Sequence, residues 1–484
     1  MGERMSRRGF LRAAGAAGAS LAATAPGARR MPKAKRATNF IVILCDNLGY
    51  GDVGCFGSKK HRTPHVDRMA REGMRLTSFY ATSGVCTPSR ASLMTGCYPR
   101  RVNMHTDGRG GAVLRPVSPK GLHGDEVTIA EVLKAAGYAT ACIGKWHLGD
   151  QPAFLPTRQG FDLYFGIPYS DDMTERKDRG WPPLPLMRNE RVVEAPVDRN
   201  TLTRRYTREA VRFLEANRDR PFLLYLPHAM PGSTRAPFAG ERFRGKSANG
   251  PYGDSVEELD FSTGEVLAAL KRLGIDEHTL VVWTSDNGAP RRRPPQGSNA
   301  PLRGWGYTTA EGGMRVPCVV RWPGRIPPGR SCDELCTTMD LLPTFARLAG
   351  TDPPDGRVID GRDIWPLLSG RPGATSPHEA FYYYHMEQLQ AVRSGRWKLY
   401  LPLEKKRVTL GGRTQRAAAE LYDLDADIGE RTNLAGKRPE TVRRLTALAE
   451  RARDDLGDVG RGGKGQRPAA FVKQPKPQLL ARKP

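Results

Sequence analysis

The stretch Asn39–Asp52, NFIVILCDNLGYGD, decides the fold class. Phe40 to Leu44 is a short apolar run rich in Ile and Val, and the chain then breaks into polar residues and glycines. Such a run predicts a strand buried on both faces, as parallel strands are, ending in a loop. The same grammar returns three times. TIAEVLKAAGYATACIGKWHLGD (128–150) reads as a helix, a stop at Gly137, a strand Ala139–Ile143 and a loop. YTREAVRFLEANRDRPFLLYLPH (206–228) gives a helix, a turn at Arg220-Pro221 and a strand Phe222–Leu226. SVEELDFSTGEVLAALKRLGIDEHTLVVWTSDNG (255–288) gives a helix and a strand Thr279–Thr284. Strands that alternate with helices predict an α/β fold whose ligands sit at the carboxyl edge of a parallel sheet.

The strand ends deliver Asp46-Asn47, then Lys145 and His147, then His228, then Asp286-Asn287. Two carboxylates and two side-chain amides offer oxygen donors, which suit a hard cation such as Ca²⁺ or Mg²⁺. A single Asp-Asn after a strand is an ordinary turn; two such pairs, each ending an apolar strand, point to a metal. Lys145 and His147 are two apart and face one side of an extended segment, a pairing that suits an anionic substrate beside a cation.

GVCTPSRASLMTG (84–96) places Cys86 and Arg90 at a strand-to-helix junction. Arg and a helix N-terminus both lower a cysteine's pKa, so a thiolate nucleophile is one reading. A buried structural cysteine is the other, and these residues alone leave both open.

CTPSRASLMTG resembles the modification motif of the sulfatase family, cysteine-X-proline-X-arginine followed by threonine-glycine. CDNLGYGD (45–52), GYATACIGKWHLG (137–149), GFDLYFGIPYSDDM (160–173), TSDNG (284–288) and TTAEGGMRVP (308–317) also resemble sulfatase segments, in the family's order. The likeness runs from about residue 38 to about residue 435 and is nearest to the arylsulfatase A-like branch. It implies an alkaline-phosphatase-like fold, with a large, mostly parallel sheet flanked by helices and a smaller C-terminal α+β domain carrying an antiparallel sheet. It implies a sulfuric ester hydrolase in which Cys86 is oxidised to formylglycine by a separate generating enzyme. The aldehyde hydrates to a geminal diol; one hydroxyl attacks sulfur, and the second loses its proton to expel sulfate. Residue by residue, Cys86 falls on the formylglycine and Arg90 on its stabilising cation. Asp46, Asn47, Asp286 and Asn287 fall on the metal ligands, together with Cys86 itself. Lys145 falls on a sulfate-binding lysine, His147 on the base that helps release sulfate, and Ser170 on a polar contact to the diol or sulfate. Ca²⁺ ranks ahead of Mg²⁺. The substrate is a sulfate ester: an aryl sulfate, a sulfated sugar or a sulfolipid.

Three positions depart from the pattern. The family usually has a second aspartate where this chain has Asn47. A sulfate-binding lysine usually stands where this chain has Gly306. A histidine just before a proline, four residues past His228, is replaced by Gly232. His228 is a candidate proton donor in its stead, and Arg235 or the Arg291–Arg293 run a candidate source of the missing charge. These losses keep two further readings open: a degenerate sulfatase fold that binds sulfated glycans without turnover, and a phosphate or phosphonate monoesterase on the same fold.

The chain has 484 residues, with 76 Lys and Arg against 51 Asp and Glu, a formal charge of +25. The excess is not gathered into a nucleic-acid-binding motif, so no nucleic-acid partner is expected; a basic surface suits anionic substrates. Ser6-Arg7-Arg8-Gly9-Phe10-Leu11 and the weakly apolar stretch to about Ala25 resemble a twin-arginine export signal. This predicts a translocase partner and a periplasmic or cell-envelope location. Folding before export makes a disulfide framework among the eight cysteines unexpected. The organisation read from the sequence is a leader over 1–36, a catalytic domain over 37–375, a smaller domain over 376–458 and a basic, disordered tail over 459–484.

Overall fold

Hydrophobic alternation along one strand explains the layering. The computed structural model describes residues 37–409, 412–416 and 418–481, so the twin-arginine stretch lies outside the described residues. Strand β1 (Asn39–Asp46) is buried along its whole length. Its Phe40, Val42 and Leu44 join one core and its Ile41, Ile43 and Cys45 the other, because successive side chains point to opposite sheet faces. A sheet buried on both faces needs helices on both. Helices α1 (Pro64–Glu72), α4 (Leu202–Ala216) and α5 (Gly250–Arg272) cover the Ile41 face. Helices α2 (Cys86–Thr95), α3 (Ile129–Ala135) and α6 (Leu341–Ala349) cover the Phe40 face.

The other strands of this sheet are β2 (Met74–Leu76), β3 (Ala139–Ile143), β4 (Leu163–Gly166), β5 (Leu186–Arg188), β6 (Arg191–Glu194), β7 (Phe222–Pro231), β8 (Thr279–Ser285), β9 (Cys318–Arg321) and β10 (Arg330–Cys332). Their order is β10-β2-β9-β8-β1-β7-β3-β4-β5-β6. The central five, β8-β1-β7-β3-β4, are parallel; antiparallel pairs flank them on both sides. Each central strand therefore ends at one edge. Cys45 pairs with Ser285 in register, which sets Asp46 beside Asp286.

The C-terminal portion forms the four-stranded antiparallel sheet β11 (Phe381–His385), β12 (Gln388–Ser394), β13 (Trp397–Tyr400) and β14 (Glu420–Asp423), covered by helix α7 (Pro439–Leu456). Its core is continuous with Tyr80, Tyr98, Met314 and Met339 of the larger portion.

The tail departs from the disorder its composition predicts. Ala470–Phe471 pairs antiparallel with Lys120–Gly121, and Arg467 forks onto Glu126 at 2.8 and 2.9 Å. Lys476 N donates to Gln151 Oε1 at 2.8 Å. A Gly/Pro/Lys segment without an apolar period builds no core of its own, but it can be held by backbone pairing and bidentate arginine contacts to an existing surface. No described helix is long and apolar enough to cross a membrane.

Candidate active site

Helix α2 opens on Cys86, with extended Val85 as its N-cap, and ends on left-handed Gly96. All ten of its residues are buried, so the Cys86 and Arg90 side chains, one turn apart, are both carried inward. The Cys86 thiol lies 3.1 Å from Asp46 Oδ1. Among the described residues, Asp46, Cys86 and Asp286 are the one acid-and-thiol group able to converge on a metal ion, with ligand atoms within 4.8 Å of one another.

Two cations complete the cluster. Arg90 donates from Nε (3.0 Å) and Nη2 (2.8 Å) to Asp286 Oδ2, and from Nη1 (2.7 Å) to the Lys145 carbonyl. Lys145 Nζ donates to Asp46 Oδ2 at 2.8 Å and to Ser170 Oγ at 3.2 Å. Burial opposes charge on Asp46, but Lys145 and then Arg90 outweigh it and hold the carboxyl well below its ordinary range. Burial first, and then the Asp46 charge, pushes its neighbour Asp286 up. Burial, then Asp286 and Asp46, also raises the Cys86 thiol well above its ordinary value. The helix terminus and Arg90, which would favour a thiolate, are outweighed here by a dry site with two carboxylates.

The amides frame the same point. Asn47 sits at φ 60°, a left-handed conformation that asparagine tolerates. Its backbone N–H donates to Asp286 Oδ1 at 3.0 Å. Asn287 Nδ2 donates to Asn47 Oδ1 at 2.5 Å, while Asn287 Oδ1 is buried with no hydrogen-bond partner. An orphaned buried oxygen beside two carboxylates fits a hard cation. His147, at φ 63°, sets Nε2 2.9 Å from the Leu114 carbonyl. That contact fixes the proton on Nε2 and leaves Nδ1 as an acceptor, buried and unpartnered. Burial, then Lys145, holds this histidine well below its ordinary pKa, so it stands as a neutral base.

His228 is not brought in, nor are Arg235 and Arg291–Arg293, which line a separate cavity. His228 Nε2 lies 3.3 Å from Ser262 Oγ on α5, and the His228 ring is 6.4 Å from that of Tyr206 on α4. The residue lies at the start of a register shift in β7, where Leu44 pairs with Pro227 but Asp46 with Pro231, and the Ser262 and Tyr206 contacts place it on the α4/α5 side, with Leu224 and Leu226 of the same core. Burial pushes its pKa down to about 3.

Two glycines show how the departures are built. A Cβ on Gly306 would fall 2.2 Å from the Gly288 carbonyl oxygen, so this loop has closed over the position of the family's lysine. The next residue, Tyr307, sets its hydroxyl 3.2 Å from Ser233 Oγ, which in turn accepts from Asn47 Nδ2 at 3.0 Å. Gly232, at φ +73°, would put a Cβ 2.6 Å from Asp171 Oδ1. Sequence reasoning missed Asp171. It is fully buried, and neither carboxylate oxygen has a hydrogen-bond partner. Burial first, then Asp172 and Asp46, raises it to about 8, which favours the neutral acid. The available signal was its place next to Ser170 in GIPYSDDM.

Comparison with known proteins agrees with this geometry. Residues 38–351 match the family described as Sulfatase, and residues 307–454 match the N-sulphoglucosamine sulphohydrolase C-terminal family. The chain is 41% identical to mouse (Mus musculus) steryl-sulfatase, over 76% of this chain and 71% of that protein. It is 39% identical to human (Homo sapiens) arylsulfatase A, over 85% and 87% respectively. The solved PsFucS1 sulfatase of Pseudoalteromonas sp. superposes with a TM-score of 0.75 at 28% identity, covering 86% of this chain and 90% of that one. With Cys86, Arg90, Lys145, Asp46 and Asp286 converging at the carboxyl edge of the sheet, the chain belongs to the sulfatase family, whose matched relatives are sulfuric ester hydrolases.

Proposed function

We propose that the chain hydrolyses sulfate esters through a formylglycine made from Cys86, beside a divalent cation held by Asp46, Asn47, Asp286 and Asn287, with Ca²⁺ ahead of Mg²⁺. The observation that carries this reading is the placement of the Cys86 side chain 3.1 Å from Asp46 Oδ1 within a dry cluster of two carboxylates, Arg90 and Lys145. When bound, the cation supplies charge neutralisation and a lowered pKa at an oxygen nucleophile. With both carboxylates ionised, the four charged side chains sum to zero, so a dication leaves the centre positive and suited to an anionic ester.

The chain's own groups then have separable tasks. Lys145 and Ser170, 3.2 Å apart, offer an ammonium and a hydroxyl to sulfate oxygens. Arg90 pins Asp286 and the backbone at Lys145, fixing both before substrate arrives. His147, with Nε2 committed to Leu114, accepts a proton at Nδ1 to free sulfate from residue 86. Proton donation to the leaving alcohol falls to Asp171, a neutral buried carboxyl beneath Gly232, where the family's histidine would begin. The leader supports export through the twin-arginine translocase to the periplasm or envelope, after folding and modification.

Protein co-expressed with a formylglycine-generating enzyme is the test. It should hydrolyse an aryl sulfate well ahead of the matching aryl phosphate, lose activity on chelation and regain it with Ca²⁺. Cys86→Ala should remove essentially all turnover. Full conversion of Cys86 without hydrolysis across aryl and sugar sulfates would favour the binding-protein reading, and preference for the phosphate would favour the phosphatase one.

A further inference from the structure

Beside this centre lies a second cavity of about 460 Å³, lined by Arg235, Arg291, Arg292, Arg293, Pro294 and Gln296. None of these belongs to the Cys86 cluster. Four guanidinium groups face it and no acid does. Several arginines elsewhere are doubly paired with acids: Arg101 holds Asp360 and Asp455, and Arg321 holds Glu72 and Asp276. No ion pair is found for Arg235, Arg291, Arg292 or Arg293 among the described residues. Arg292 Nη1 is buried without a hydrogen-bond partner, and so is Gln296 Oε1. Four like charges gathered without a counter-charge repel one another, and a buried unpaired N–H is costly. A bound anion relieves both.

The cavity's place is set by the same strand ends. Arg235 follows β7, and the arginine run begins four residues after Asn287. Arg292 Nη2 donates to the Gly232 carbonyl at 3.0 Å, and the Gly232 N–H donates to the Asp46 carbonyl at 3.0 Å. A single residue, Gly232, thus links the arginine cavity to a residue of the reaction centre. Because the lining excludes Cys86, Lys145 and His147, an anion held here is not the sulfate being transferred.

We propose that this cavity is a second-anion subsite that binds another sulfate or a carboxylate of the same substrate, so that the preferred substrate is a polyanionic saccharide and not a monosulfate. Guanidinium forks match the paired oxygens of both groups. The inference rests on the sulfatase reading for its turnover assay, and a binding assay on inactive protein separates the two.

Binding of disaccharides carrying one, two and three anionic groups to Cys86→Ala protein should tighten with each added anion. The gain should shrink roughly 10- to 100-fold in the background of Arg292→Ala, and also of the exposed pair Arg291→Ala/Arg293→Ala, whose side chains support no packing. In active protein, the same substitutions should lower kcat/KM for the polyanionic sulfate, chiefly through KM, by at least tenfold more than for an aryl monosulfate. A sulfated uronate and its methyl ester distinguish carboxylate from sulfate as the second anion. Affinity indifferent to added anions, or equal losses on mono- and polyanionic esters, would overturn the subsite. So would loss of inorganic sulfate binding alone, which would mark a store for the product anion. Anion-dependent binding in a chain that hydrolyses no ester would leave the subsite standing and remove the catalytic reading instead.

Discussion

Two fully buried ionic clusters among the described residues are finished to different degrees. The first is Asp46, Arg90, Lys145 and Asp286 around Cys86. The second is Glu311, Lys398 and Glu430, where the C-terminal sheet meets the larger portion. Lys398 Nζ lies 2.8 Å from Glu311 Oε1 and 3.2 Å from Glu430 Oε1. Tyr383 donates to Glu311 Oε1 at 2.8 Å and Tyr80 to its Oε2 at 2.5 Å, with Arg315 at 3.6 Å. Both oxygens of Glu311 are therefore filled. Around Cys86, by contrast, Asn287 Oδ1 and His147 Nδ1 are buried and unpartnered. In the second cluster the one carboxylate oxygen without a hydrogen bond, Glu430 Oε1, still lies 3.2 Å from the Lys398 ammonium; we read that cluster as structural and the Cys86 cluster as a set of partners for a ligand. The closed cluster also serves the open one. Lys398 and Gln390 bond to the backbone and side chain of Thr309, so the C-terminal sheet fastens the loop that carries Gly306 and Tyr307.

Exchanging the two lysines should break this contrast if it is wrong. Lys145→Met should lower kcat/KM on a sulfate ester by about 100- to 1000-fold, the usual loss for one preorganised charge, with its stability loss recovered by Ca²⁺. Lys398→Met should cost about 3–5 kcal/mol, as removal of one partner of a buried pair does, with no recovery by cation. Denaturant melts with and without Ca²⁺ read both; cation rescue of Lys398→Met would contradict the assignment.

The closed cluster should also show in acid. Burial opposes ionisation of Glu311, but Lys398 and Arg315 outweigh it and lower its pKa from 4.5 to about 2. A carboxylate depressed in the folded state contributes stability that is fully present above about pH 4.5 and is lost as pH falls toward 2. Unfolding free energy measured across that window should decline in wild type and decline less in Glu311→Gln. Equal slopes would remove Glu311 from the account.

Gly306→Lys sharpens the comparison from the other side. Restoring the family's lysine looks, from sequence, like restoring a lost charge. A Cβ 2.2 Å from the Gly288 carbonyl oxygen forbids it, so the variant should lose about 1–3 kcal/mol and gain no activity. A faster, equally stable variant would show that the loop opens.

The smallest contrast is between two candidate proton donors. Asp171→Asn should slow esters of poorly departing alcohols by roughly 100-fold, the usual range for general acid catalysis, and nitrophenyl esters much less. His228→Gln should change either by no more than about threefold. A large, leaving-group-dependent loss in His228→Gln would reverse the assignment.

Much of this was legible in the sequence. The strand Ala139–Ile143 is read to the residue, because Gly137 before it and Gly144 after it bound the apolar run. Asp46, Lys145 and Asp286 are readable as strand-end residues because parallel strands deliver their carboxyl ends to one edge. His228 misled because β7 continues past it to Pro231 with a register shift, and its side chain packs on Ser262 of α5 and Tyr206 of α4. Missing side chains at 232 and 306 are visible in sequence; that backbone and Asp171 fill their space is a long-range contact that no local pattern encodes. The tail was misread for the same reason, since Arg467 is held by Glu126, far away in sequence.

The proposed nucleophile is residue 86 as an aldehyde and not as a thiol. The most direct measurement is the initial rate of aryl sulfate hydrolysis against the fraction of residue 86 present as aldehyde, quantified by peptide mass across preparations made with graded amounts of generating enzyme. A straight line through the origin is expected at saturating Ca²⁺. A rate that is independent of aldehyde content, or full activity in protein whose Cys86 is entirely unconverted, would contradict it.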